Sequence, residues 1–83
     1  MERVEAMITA EEIEAILSRK FPEAVVSAVD LTGTSDHFEV RMQWSGFGGK
    51  SLVQQHQLVH DALKEPLEDG RIHALKIKTL VGS

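Results

Sequence analysis

Cysteine is absent from the 83 residues. With it go disulfide staples, thiolate zinc sites and any iron–sulfur cluster held by this chain alone, because cluster ligands are mainly thiolates. A soft metal must therefore arrive with outside ligands. Tyrosine is missing too, and one tryptophan and three phenylalanines leave few rings on which nucleic-acid bases could stack. No apolar run approaches the roughly 18 residues that span a bilayer, and Met1 to Met7 is too short and too charged for a signal peptide. The expectation is a cytoplasmic protein with no membrane partner. Positive charge is in deficit: nine Lys and Arg against thirteen Asp and Glu give a net charge of −4. That opposes sequence-independent attraction to polyphosphate, although a total can hide a local basic patch.

What is present is enough for one small domain. At 42% hydrophobic residues, a chain of this size buries only about 60% of its unfolded surface. Residues 1–8 read as a flexible lead and residues 9–81 as the domain. Thr9 with Glu12 forms a capping box, after which Ala10, Ile13, Ile16, Leu17 and Phe21 recur at helical spacing. Pro22 disfavours helical geometry at Phe21 and ends that helix. From Ala24 to Leu31 the positions Val25, Val29 and Leu31 alternate with Val26, Ala28 and Asp30, as a strand would, with a weakly marked polar face. Thr32 to Asp36 is a turn by composition. In His37 to Trp44 the apolar residues Phe38, Val40, Met42 and Trp44 alternate with Glu39, Arg41 and Gln43, which predicts a half-buried strand in a hairpin with the first.

Ser45 to Gly49 is too rich in glycine for a helix or strand. Ser51 is a plausible N-cap for a central helix closed by Pro66 and Gly70. On its wheel Leu52, His56, Val59 and Leu63 fall on one line, flanked by Val53, Leu58 and Ala62, while Gln54, Gln57, Asp61 and Lys64 lie opposite. His56 thus reads as a core histidine with one ring nitrogen paired, and His60 as solvated. In the last strand, Ile72 to Val81, His73, Leu75 and Ile77 share one parity, and Ala74, Lys76 and Lys78 take the wet one. A helix joining neighbouring strands makes a right-handed crossover and so a parallel pair. His37 and His73 open those two strands, and both imidazoles should lie at the same end of the sheet.

The segments Asp36–Val40 (DHFEV), Phe47–Val59 (FGGKSLVQQHQLV) and Arg71–Thr79 (RIHALKIKT), in that order, resemble the hairpin, signature helix and histidine-bearing final strand of the BolA family. The resemblance runs from about Thr9 to Leu80. It implies an α+β fold: a single α-β-β-α-β domain, class II KH-like, with a three-stranded mixed sheet and helices on one face. It also implies a non-catalytic adaptor that pairs with a monothiol glutaredoxin. The two share a [2Fe-2S] cluster with glutathione, none being bound by the isolated chain, and the ligand from this side is the histidine matching His73. A homodimer of the apo chain is a second partner to test, and the sequence alone does not decide it. The family's older label is a stress-responsive regulator of morphology and transcription, with a helix-turn-helix surface in the region matching Phe47 to Leu67. Two departures stand out. Gln55 and Gln57 replace arginines that many members carry around the helix histidine, and the hairpin loop lacks the cysteine that supplies a second cluster ligand in some members.

On spacing alone His73 would be a half-buried strand-end histidine bonded to a carbonyl; the resemblance makes it the candidate ligand. His37 is the second candidate, set against an ordinary structural role. For the nucleic-acid alternative the candidates are Lys50, Arg71, Lys76 and Lys78, with Gly46-Phe47-Gly48-Gly49 as a G-x-x-G loop and Phe47 as the one loop ring for stacking. A tight turn and a solvated lysine face are the plainer accounts of those features. No nucleophile–base–orienter set marks an enzyme.

Overall fold

The computed structural model describes residues 8–33 and 36–82. Helix α1 (Ala10–Lys20) starts on the anticipated capping box: Thr9 Oγ1 accepts the Glu12 amide at 3.1 Å and the Glu12 carboxylate accepts the Thr9 amide at 2.9 Å. Glu11 and Glu12 in its first turn, and Arg19 and Lys20 in its last, oppose the helix dipole. It buries Ile13 and Leu17 completely. Ile8 is buried with them at 2% exposure, so the core takes in the last residue of the expected lead; the rest of that lead lies outside the described residues.

Strands β1 (Val25–Asp30) and β2 (His37–Trp44) form the antiparallel hairpin, and β2 pairs in parallel with β3 (Ala74–Val81) in the order β1-β2-β3. Helix α1 packs over β1 and α2 (Leu52–Ala62) over β3. The inward side chains Ala28, Phe38, Val40, Met42 and Ile77 close the core with Val59 and Leu63. Of the two parities in β1, the structure turns Val26 and Ala28 inward and leaves Val25 and Val29 exposed. The chain is thus an α+β domain with a mixed three-stranded sheet and its helices on one face. Among the described residues, no helix is long and apolar enough to cross a membrane.

The crossover departs from expectation in two places. Pro66 has no amide to offer the Ala62 carbonyl, so the central helix stops at Ala62 and restarts as a short α3 (Lys64–Glu68) with the proline in its first turn. Of the anticipated line on the central helix, Val59 and Leu63 reach the core, while Leu52 and His56 do not. Gln55, Val59 and Leu63 face the core, His56 is half-buried and not a core residue, and Leu52 and Val53 are exposed at 61 and 76%. Gln55 sits inside because every polar atom it carries is used. Its Nε2 donates to the Lys50 carbonyl at 3.0 Å and, more weakly, to the Phe47 carbonyl at 3.5 Å, and its Oε1 accepts the Thr79 hydroxyl. One amide therefore fastens the glycine turn, the start of α2 and β3 together.

Candidate functional site

Parallel pairing carries both strand openings to one end of the sheet, with His37 opposite Ala74. The backbone locks them there: the Asp36 carbonyl accepts the amides of His73 at 2.8 Å and Ala74 at 3.2 Å. The two imidazoles stand 6.4 Å apart between ring centroids, at an interplanar angle of 77°. The ring of His73 is 62% exposed and that of His37 44% exposed. His73 is therefore open to a docked protein, not paired to a carbonyl inside its own core.

Sequence reasoning missed Asp36, whose carboxylate lies between the rings. Its Oδ1 is 3.0 Å from His37 Nδ1 and its Oδ2 is 3.5 Å from His73 Nδ1. A carboxylate only accepts, so the ring nitrogen that faces it is the one that carries the proton. At His37 this leaves Nε2 with the free lone pair, whereas the 3.5 Å contact of His73 is longer than a hydrogen bond that would fix its tautomer. A carboxylate behind the far nitrogen of a ligating histidine fixes its tautomer and raises its basicity. The adjacency of Asp36 and His37 in the sequence was the available signal. Among the described residues, no group of three His, Asp or Glu side chains is placed to hold a metal ion. The donor set amounts to two imidazoles oriented by a carboxylate, which suits a metal whose other ligands come from elsewhere.

The candidates for nucleic-acid contact are not brought together. Lys50 follows the end of β2 and Arg71 precedes β3, which puts them at opposite ends of a strand of eight residues, roughly 25 Å long. Arg71 Nε is bound to both oxygens of Asp69, at 2.9 and 3.2 Å. Lys76 and Lys78 lie on the helix-free face beside Arg41 and Glu39. Phe47 is fully buried, so it offers no ring to a base. Composition predicts a glycine loop free of helix, but Ser45–Phe47 form one tight 3-10 turn, with the amides of Gly48 and Lys50 taken by the carbonyls of Ser45 and Phe47, at 3.1 Å each. Gly46 lies under the Trp44 ring, where an added Cβ would meet ring carbons at 2.5 Å.

On the same open face Glu39 is covered by its neighbours, although its parity predicts a wet position. It lies between Val29 and Lys76 in the cross-strand register, and Arg41 Nε donates to it at 2.6 Å. That hydrogen bond holds the Glu39 carboxyl below its ordinary range against a smaller opposing effect of desolvation, helped by the charges of Arg41, Lys78 and Lys76.

Comparison with known proteins agrees with this architecture. Residues 9–82 match the family model described as BolA-like protein. An uncharacterised protein of Rickettsia prowazekii (strain Madrid E) is 42% identical over 73 residues, covering 88% of this chain and 94% of its own length. Protein BOLA2 of Arabidopsis thaliana is 37% identical over 73 residues, covering 87% of this chain and 76% of its own. The solved structure of BolA1 from Arabidopsis thaliana superposes with a TM-score of 0.77 at 28% identity, covering 93% of each chain. With a family model spanning nearly its whole length and a sheet and helices that match a solved member, this chain belongs to the BolA-like family.

Proposed function

We propose that the chain is a non-catalytic adaptor in iron–sulfur cluster trafficking or in iron and redox regulation, and that it works in the cytoplasm. It docks on a monothiol glutaredoxin and lends His73, with His37 as the second imidazole, to a [2Fe-2S] cluster whose thiolates come from the glutaredoxin and from glutathione. The observation that carries this reading is the exposed His73 ring, 6.4 Å from that of His37, with the Asp36 carboxylate 3.5 Å from its Nδ1. The residues fit a shared group: the chain has no thiolate of its own but offers oriented nitrogen donors on an accessible edge. A cluster bound there supplies one-electron redox chemistry, and imidazole in place of thiolate raises its potential.

The test mixes the purified chain with a monothiol glutaredoxin, glutathione, ferrous iron and sulfide. A coloured heterocomplex should elute as one species. His73→Ala should abolish the histidine-dependent absorption and redox features, and His37→Ala tests the second ring separately. A spectrum unchanged by His73→Ala removes that residue from the site. The competing reading as a nucleic-acid-binding regulator is weakened by the buried Phe47 ring, the occupied loop amides and the Arg71–Asp69 pair.

A further inference from the structure

Strands β1 and β3 are the two edges of the sheet, and the fold treats them differently. On β1 the Glu14 carboxylate of α1 reaches across and accepts the Ala28 amide at 2.8 Å. A covered edge of this kind is the ordinary protection against strand addition. β3 pairs with β2 on one side. Among the described residues, no group outside the sheet hydrogen-bonds to the β3 backbone from Leu75 to Val81. The strand has eight residues and no proline, and it ends on Leu80 and Val81, exposed at 67 and 55%.

Charge marks the same edge. Lys76 and Lys78 project from the helix-free face, and the register sets Lys78 beside Arg41 and Lys76 beside Glu39. Three cations there surround one carboxylate, which Arg41 already holds. In a chain of net charge −4 this is a local reversal of sign. Beside it a shallow trough of about 490 Å³ runs between Val25 and Leu80 across the pleat.

We propose that the open edge of β3 accepts an extended segment of an acidic partner protein as a fourth strand. Main-chain hydrogen bonds supply the pairing, carboxylates of the segment meet Lys76 and Lys78 on the helix-free face, and its apolar side chains on the other face cover Val81. A second copy of this chain suits the edge poorly. Two-fold antiparallel pairing centred on Ile77 would set Lys76 of one copy opposite Lys78 of the other, and like charges directly across a ladder are destabilising. This proposal does not depend on the cluster reading.

The experiment titrates the full isotope-labelled chain with a synthetic eight-residue peptide alternating glutamate and valine, and with a lysine–valine control. Saturable shifts and slowed amide exchange along Ala74–Val81 are expected with the acidic peptide alone. The exposed double variant Lys76→Gln/Lys78→Gln should bind it roughly tenfold more weakly. Equal binding of the lysine control, no loss in the double variant, protection along β1, or no saturation would each overturn the proposal. Sedimentation that shows dimers with a protected β3 in the absence of peptide would give the edge to a second copy and overturn it as well.

Discussion

Replacing Gln55 by methionine keeps its volume and removes its amide. The Lys50 carbonyl then loses its donor at 3.0 Å, the Phe47 carbonyl loses the longer contact at 3.5 Å, and the Thr79 hydroxyl loses its acceptor inside a fold where Gln55 is only 9% exposed. Leaving buried partners unsatisfied costs about 1–3 kcal/mol, so Gln55→Met should destabilise by about 2 kcal/mol. For a domain of this size that lowers Tm by roughly 8–16 °C. Thr79→Val orphans only Gln55 Oε1 at a half-buried position and should cost about 1 kcal/mol. If the side chains act on each other directly, the double variant should cost less than the sum of the singles by about 1 kcal/mol, because it removes donor and acceptor together. Urea titrations of the four proteins at a common slope provide the cycle. Additivity within about 0.3 kcal/mol would refute the idea that Gln55 couples α2 to β3 through Thr79.

Glu14→Ala uncovers the Ala28 amide; it should cost about 1 kcal/mol, speed hydrogen exchange at Ala28 selectively, and raise self-association measured by light scattering. Glu39 has a carboxyl held below its ordinary 4.5 in the folded state. Its contribution is therefore present above the ordinary value and is lost as pH falls through the depressed one; Glu39→Gln should be less stable than the parent near neutrality, with a gap that closes in acid urea titrations. Gly46→Ala drives a Cβ into the Trp44 ring; a shift in the fluorescence of this single tryptophan, together with a lowered Tm, should report the displacement.

Much of the architecture was legible because local signals and topology agreed. The Thr9–Glu12 capping box, the clean alternation of β2 and the handedness of a helical crossover needed no tertiary information. The crossover rule alone brought His37 and His73 to one end. Phase was harder. Val25 and Val26 are both apolar, so either parity of β1 could face the core, and α1 decides it. In α2 the wheel found Val59 and Leu63 but also chose Leu52, which is exposed, and passed over Gln55, which is drawn inside by carbonyls that no wheel displays. Asp36 stayed hidden since a turn carboxylate carries no periodic signal; its role follows only once the backbone latch sets His73 beside it.

Because the two imidazoles belong to strands separated by the whole crossover, neither hairpin nor helix alone can present them together. The ring pair comes into being only when β3 docks on β2 and the Asp36 carbonyl takes the amides of His73 and Ala74. A nascent or nicked chain that lacks that strand cannot assemble the ring pair. The pairing of the two rings becomes a certificate of finished folding, issued by the same amides that close the sheet.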